Sequence, residues 1–549
     1  MNLKMKYNPM SSLPKLAWLA SLNLETFAEL SVFHGSAVEC RDTWMVEGVW
    51  DGDFSSGNFH TAENFFGSGI RVEDGRVYFV PSSALVDHLF YYIDRERLLV
   101  SNSLIVLLGF TGATLDDKHD YYSESMSIVK EGIGKYDKEF KVIHPEIEQF
   151  YQIFYENIIV TKDKISFECK NGLHEITSYE QYYGLLWNAL SHIGDNYKDP
   201  NRTIPISAFT TISSGYDSTA VTCLAKKLGV ETCFTLRKSA SWIRWSAKYA
   251  VDDGALAARQ LNLNVIHADA SPSDITDDEL YFISTNYGKS QNNAVANEVV
   301  HSLVAAYIEQ HCSAAVLFTG YRGDKVWDTN TLEEFLGEGL VQSTSEIGFS
   351  EIRLKSGFIN IAVPYILARN IRNIVAISRS EEMKPWSLNN EYDRPIARRI
   401  AESSGVGRKA FGMQKKGVAL HYYRLPKSYA LKKLFLQYLK KHYDLSSWFV
   451  YTNHALNQIA FIVQKAILRA FLPNFKHRQT TVFWPHLDIG FLMWIWATNL
   501  LSKKMGKVFH GYEKALPRKK HLRNQAKEDQ HTLLESQLGS NGHESRAMV

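Results

Sequence analysis

Residues 203–219, TIPISAFTTISSGYDST, decide how the chain is read. Thr203–Ile212 is rich in Ile, Thr and Phe, the types that suit a strand. Thr219–Leu228 carries Val221, Leu224, Ala225 and Leu228 at helical spacing. Between them stands Ser213-Ser214-Gly215-Tyr216-Asp217-Ser218-Thr219. A strand that turns at once into a helix presents free N–H groups and the positive helix end at one point, which binds anions. Ser213, Ser214 and Ser218 add hydroxyl donors, and Gly215 lets the backbone approach phosphates closely. Asp217 has the wrong charge for an anion, but its carboxylate makes sense if it holds Mg²⁺ against the phosphates. The plainer alternative is a Ser/Gly turn with an Asp helix cap.

Outward from this loop, the pattern predicts strands at Glu231–Leu236, Asn264–Ala268 and Ala314–Thr319, with helices at Gly254–Leu261 and Glu298–His311. That β-α-β-α-β order implies a mostly parallel sheet covered by helices. The last strand runs into Thr319-Gly320-Tyr321-Arg322-Gly323-Asp324, a second glycine-flanked acidic loop. Asp217 and Asp324, at one edge of one sheet, can share a magnesium. Residues 355–500 read as helical. Ile489–Leu501 is the most apolar stretch, about 13 residues with Asn499 inside, too short for a bilayer and expected as a buried helix.

The first 115 residues read as β-rich. Thr43–Trp50 is a candidate strand, and Arg71–Val80 a hairpin about Asp74-Gly75. Ala84–Tyr91 reads as a helix, Leu98–Ser101 as extended, and Leu104–Phe110 as an apolar helix. Residues 120–150 read as a charged linker or insertion, and Asn157–Cys169 as a hairpin turning at Lys162-Asp163. The expected domains are 1–175, β-rich; 176–425, α/β; 426–513, a helical extension; and 514–549, a polar, disordered tail.

Composition narrows the function classes. Hydrophobic residues are 45% and charged residues 22%, which excludes wholesale disorder. A net charge of +2 makes no case for a dedicated nucleic-acid binder. Cys40, Cys169, Cys223, Cys233 and Cys312 are too scattered for a zinc knuckle or ribbon, and suggest reduced thiols and a cytoplasmic location. No signal peptide is read at Met1–Leu22, and no membrane span is expected.

The 213–219 loop resembles the SGGxDS loop of the N-type ATP pyrophosphatases, with Ser214 where the first glycine usually stands and Tyr216 inside. The order of SSGYDS, Asp252-Asp253 with Ala255–Leu261, and TGYRGD resembles the synthetase domain of the asparagine synthetase family. Met383-Lys384-Pro385-Trp386, Tyr392-Asp393-Arg394-Pro395, Arg398-Arg399-Ile400 and Phe411-Gly412-Met413-Gln414-Lys415-Lys416-Gly417 resemble its C-terminal region. The resemblance spans about 180–425 and, more weakly, 40–115. It implies a parallel-sheet, adenine-nucleotide α-hydrolase-like (PP-loop) synthetase domain with a helical extension. Ahead of it would stand a degenerate glutaminase-like domain of the N-terminal-nucleophile kind.

That resemblance assigns roles. Ser213, Ser214, Gly215, Tyr216, Asp217, Ser218, Thr219 and Gly320 would hold ATP, and Asp217 and Asp324 would hold Mg²⁺. Lys416, with Lys415 as the second choice, would stabilise charge on the reacting centre; the plainer reading is a solvated basic pair. Tyr321 stands where that family has glutamate and is similar to the tyrosine of β-lactam and carbapenam synthetases, where a Tyr–Glu pair acts as base. Glu346 and Glu351 are the candidate partners; otherwise Tyr321 is a packed loop residue. Apart from the resemblance, Arg322 and Lys325 can add positive field around the phosphates, and Arg237 or Lys238, by position alone after the second strand, can do likewise. His267 with Asp269 is read as pocket wall, and Trp484–Asp488 as a turn and helix cap. The chain begins Met1-Asn2-Leu3-Lys4, so no N-terminal glutaminase cysteine is expected.

The expected function is an AMP-forming amide ligase using ATP and Mg²⁺. It would join a small-molecule or peptide carboxylate to an amine or ammonia. Its partner would be a second copy or a separate amine- or ammonia-supplying protein. The alternatives are a nucleobase- or RNA-modifying enzyme on the same nucleotide loop, and an inactive ATP-binding scaffold.

Overall fold

A computed structural model describes residues 3–117, 138–237, 252–268, 280–281, 296–333, 336, 349–413, 425–426, 428–453, 456, 459, 463 and 489–510. In the first part, period-two alternation of apolar residues builds β1 (Lys4–Pro9), β2 (Trp18–Asn23), β3 (Glu29–His34), β4 (Glu39–Cys40), β5 (Trp44–Trp50), β6 (Phe65–Glu73) and β7 (Arg76–Val80). It continues through β8 (Leu89–Ile93), β9 (Arg97–Ser101), β10 (Thr114–Leu115), β11 (Glu139–Ile143), β12 (Gln149–Ile153), β13 (Asn157–Val160) and β14 (Ile165–Glu168). They form two sheets, ordered β1-β3-β2-β9-β8-β12-β11-β10 and β14-β13-β7-β6-β5-β4. Trp18, Leu30 and Val100 of the first sheet meet Met45, Ile70 and Phe79 of the second in one apolar layer, which makes a sandwich.

The Asp74-Gly75 hairpin is present: Glu73 pairs with Arg76, leaving a two-residue turn. Asp74 and Gly75 have φ of 49° and 72°, the positive values such a turn demands. The helix expected at Ala84–Tyr91 is absent, and its end belongs to β8. Leu89 and Tyr91 face the sandwich interior while Phe90 and Tyr92 face the opposite core, a period of two and not 3.6. Of residues 120–150, read as a linker or insertion, 120–137 lie outside the described residues, and in the rest β11 and β12 extend the larger sheet instead of linking.

The second part contains α1 (Leu104–Thr111), α2 (Tyr179–Tyr197), β15 (Ile206–Thr211), α3 (Tyr216–Lys227), β16 (Thr232–Thr235), α4 (Ala255–Gln260), β17 (Asn264–His267) and α5 (Ala296–His311), α1 lying back on the sandwich. After them come β18 (Ala314–Thr319), α6 (Gly323–Val326), α7 (Ser350–Ser356), β19 (Phe358–Ala362), α8 (Ile371–Ser378), α9 (Pro395–Ser403), α10 (Tyr429–Tyr443) and α11 (Ile489–Val508). The sheet is ordered β17-β16-β15-β18-β19, and every pairing in it is parallel. β19 lies in a region expected to be helical; its five residues are all buried, and its pairing with β18 closes that edge. Chain order reverses between β15 and β18. In such sheets the crevice for a ligand lies at that point, outside the carboxyl ends of the strands.

The helix α11 is longer than the apolar stretch read from sequence and packs on α1 so closely that a Cβ on Gly109 would lie 2.6 Å from Met505 Cβ. Asn499 accounts for its place in this apolar helix: Oδ1 accepts from the Leu115 amide at 2.8 Å, pairing the edge of β10. No described helix is long and apolar enough to cross a membrane.

The sandwich is tied to the parallel-sheet region by buried charge. The Arg353 guanidinium, on α7, donates to Glu47 at 2.7 and 3.0 Å and to Asp87 at 2.6 Å. Glu47 also accepts from Ser68 and Asn102, at 2.6 and 3.2 Å. Removing one member of such a network leaves an uncompensated buried charge.

Candidate functional site

The loop after β15 and the loop after β18 meet at the switch point. A Cβ on Gly320 would stand 2.5 Å from Asp217 C and Ser218 N, and one on Gly323 2.4 Å from Asp217 Cγ. Only glycine permits this approach, so the two acidic loops read separately from sequence form one structure. Asp324 lies near enough that its charge raises the Asp217 pKa.

Asp217 is the electrostatic centre. Its side chain is 17% exposed, and Oδ2 is held by the Arg394 guanidinium, whose Nε also reaches Asp328 at 3.3 Å. Oδ1 is buried with no hydrogen-bond partner among the described residues. Burial pushes the Asp217 carboxyl up to about 6; Arg394 opposes the shift, and Asp324 and Asp328 add to it. A buried carboxylate oxygen without a donor is a position where a cation fits. Among the described residues no group of three His, Cys, Asp or Glu side chains is arranged to hold a metal. Magnesium on Asp217 and Asp324 would therefore complete its shell with water and phosphate, its ordinary habit.

The phosphate-loop residues divide into two groups. The amides of Ser213, Ser214, Gly215 and Tyr216 point to Ser218 Oγ (3.0 Å), Asp252 Oδ1 (3.0 Å), Ser213 Oγ (3.1 Å) and Tyr392 Oη (3.3 Å). These donors are not free, as the sequence led one to expect. A phosphate must displace a hydroxyl or the Asp252 carboxylate to reach them. The side chains of Tyr216 and Thr219 do not face a ligand. Thr219 Oγ1 donates to Ser213 O and Gly215 O, at 3.2 and 2.7 Å, and shapes the loop. The Tyr216 ring is fully buried, with its Oη accepting from Arg398 at 2.7 Å.

Residues 392–412 hold this loop from outside. The Tyr216 and Tyr392 ring centroids are 4.8 Å apart, and the Arg398 guanidinium lies over Tyr216 and Phe411. Gly412, at φ 64°, donates its amide to Ser214 O at 2.9 Å; a Cβ there would meet the Tyr216 ring at 2.5 Å. Asp252, Asp328, Tyr392, Arg394 and Arg398 thus belong to the site's framework without having been singled out as site residues. Their signal lay in Asp252-Asp253 and the 392–400 block, but contact across some 180 residues of chain is invisible to local spacing.

The remaining candidates scatter. The Tyr321 ring stacks on Tyr365 at 6.2 Å, with the Arg322 guanidinium 5.9 Å from its centroid. Glu351 is not turned to this loop pair. Its carboxylate accepts from Ser103 Oγ at 2.8 Å and the Ile105 amide at 3.3 Å, at the N-terminal end of α1. A carboxylate suits the positive end of a helix, which explains its place at the sandwich contact. Glu346, Lys238, Lys415, Lys416, Asp269 and Trp484–Asp488 lie outside the described residues. His267 Nε2 lies 3.7 Å from Asp253, whose Oδ1 accepts the Ala255 amide and caps α4. No protein-family model matches the chain, and no curated protein matches it.

Proposed function

We propose that this chain is an ATP-dependent, AMP-forming amide ligase of the asparagine synthetase kind, built on a PP-loop sheet and without its own glutaminase chemistry. The observation that carries the reading is the joining of two glycine-shaped acidic loops at the switch point, with Asp217 Oδ1 buried and unbonded. Ser213, Ser214, Gly215 and Ser218 would line the pyrophosphate portion of ATP, with the α3 amino end supplying its dipole. Asp217 and Asp324 would hold magnesium, which neutralises phosphate charge.

In the first step a substrate carboxylate oxygen attacks the α-phosphorus, the bond to pyrophosphate breaks, and an acyl-adenylate forms. An amine then attacks the acyl carbon, AMP leaves, and the amine proton passes to a base. Tyr321 is the candidate for moving that proton, and Lys416 or Lys415 for stabilising the charge. Glu351, whose oxygens accept from Ser103 and Ile105, would have to turn from that contact to serve as the glutamate partner of Tyr321. A second reading, an ATP-binding scaffold, is favoured by the engagement of the loop amides with Ser218, Asp252 and Tyr392.

Nucleotide products separate the readings. Wild type, Asp217→Asn and Lys416→Ala are given ATP·Mg²⁺ and a deproteinised cell extract as substrate pool. AMP and pyrophosphate, lost in both variants, support the ligase. ADP contradicts it. ATP binding that depends on Asp217 without turnover favours the scaffold.

A further inference from the structure

The charge of the chain is unevenly placed. Residues 403–487 hold fourteen Lys and Arg and a single carboxylate, Asp444, although the whole chain is only +2. The described residues within this segment also carry an unusual surface. After α10 the chain turns at Asp444, φ 52°, and is helical again through residues 447–453 and at 456, 459 and 463. Trp448 and Tyr451 stand three residues apart on the helix 447–453, and Leu456, Ile459 and Val463, each helical, follow at intervals of three and four. All five are exposed: 74%, 48%, 48%, 57% and 49%. Val450 is fully buried and Asn453 nearly so, which fixes the opposite face against the protein. Scattered exposed apolar residues need no explanation, but five large ones within sixteen positions of the chain, each on helix and headed by tryptophan, do.

We propose that this face docks on the surface of an anionic phospholipid bilayer. An amphipathic helix with Trp, Tyr and aliphatic residues on one face and basic residues around it lies in the headgroup region, burying the apolar face among acyl chains. The basic surroundings outweigh the acidic ones: Lys433, Lys440 and Lys441 of the adjoining α10 are exposed, against Asp444 in the same segment and Asp117, whose carboxylate accepts from Tyr443. Two other occupants fit less well. Self-association through this face would bring two strongly basic segments together. A nucleic acid would use the lysines and aromatic rings but leave Leu456, Ile459 and Val463 in water. The lipid proposal is independent of the ligase reading.

The test is flotation of the full chain with vesicles of phosphatidylglycerol and phosphatidylcholine, against vesicles of phosphatidylcholine alone. Wild type is expected to float with the anionic vesicles only, and to be released by about 1 M salt as the lysines are screened. Trp448→Ser/Ile459→Ser is expected to lower flotation roughly tenfold or more, with unchanged thermal unfolding because both positions are exposed. Lys433→Gln/Lys440→Gln/Lys441→Gln, which keeps the apolar face, is expected to lose the preference for anionic vesicles. Wild type that stays in solution with both vesicles overturns the proposal. So does a Trp448/Ile459 variant that floats like wild type. A dimer that this variant splits, or RNA binding that it abolishes, would replace the bilayer with that partner and equally overturn it.

Discussion

At the contact with the sandwich, Glu47 and Asp87 surround Arg353 at 2.6–3.0 Å, and Ser68 and Asn102 supply further donors to Glu47. At the carboxyl edge of the parallel sheet, Asp217 shares Arg394 with Asp328, and its second oxygen has no donor. Both regions bury carboxylates beside an arginine. Each region leaves one buried oxygen without a donor, Asp87 Oδ2 at the joint and Asp217 Oδ1 at the sheet edge. The difference is in what stands around it. At the joint Glu47 has both oxygens engaged and Arg353 faces both carboxylates, which suits a contact that holds two parts together. Asp217 Oδ1 stands at the switch point between two glycine-shaped loops, where a ligand can supply the missing partner.

The largest expected effect breaks the joint. Arg353→Met leaves Glu47 and Asp87 buried without a cation and should cost about 3–5 kcal/mol of unfolding free energy, measured by urea denaturation. A cost under about 1 kcal/mol would mean that the sandwich contact is held by its apolar surface instead.

The next substitution tests the close approach of the two loops. Gly320→Ala puts a methyl 2.5 Å from backbone atoms of Asp217 and Ser218, neither of which can rotate aside. The loops must separate, with an expected loss of about 1–3 kcal/mol and, on the proposed function, of most of the proposed ATP binding, read by calorimetry. Unchanged ATP binding would show that the loops work separately.

The Glu351 carboxyl sharpens the comparison through pH. Burial, the largest influence on it, pushes this group up to about 7 from its ordinary 4.5, against the hydrogen bonds from Ser103 and Ile105. The folded chain therefore binds a proton here that the unfolded chain has lost between pH 4.5 and about 7. Stability from this group is greatest below that window and falls as pH rises through it, by on the order of 3 kcal/mol. Glu351→Gln, which keeps an acceptor and removes the titration, should flatten that part of the wild-type profile in denaturant melts at pH 5 and pH 8. An identical slope in both proteins would remove Glu351 as its source.

The smallest effect belongs to Gly75→Ala, a control for Gly320. Nothing lies within 4 Å of the added methyl, and only the φ of 72° opposes it. About 1 kcal/mol is expected, with ATP binding unchanged.

Much of the architecture was legible along the chain. The strand and helix before and after Ser213–Thr219, the Asp74-Gly75 turn and the buried helix around Asn499 all announce themselves by local period and turn residues. The failures are equally local in origin. At Ala84–Tyr91 a short apolar run did not distinguish strand from helix until Leu89 and Tyr91 were seen to face one core and Phe90 and Tyr92 another. Phe358–Ala362 hid in helical surroundings because a strand buried on both faces has no alternation to show. Glu351 was chosen by its distance along the chain from Tyr321, and sequence distance does not report which helix end a carboxylate caps.

By itself the sequence determined the parallel order of the second half, the two acidic glycine loops and the resemblance they carry, since these depend on residues adjacent in the chain. The tertiary structure alone decided that the loops touch through Gly320 and Gly323, that Arg394 faces Asp217, and that Tyr216 serves packing. It also decided which apolar side chains stay in water beyond α10. Those outcomes depend on burial and on contacts between distant segments, and a carboxylate's charge or an aromatic ring's role is set by what surrounds it after folding.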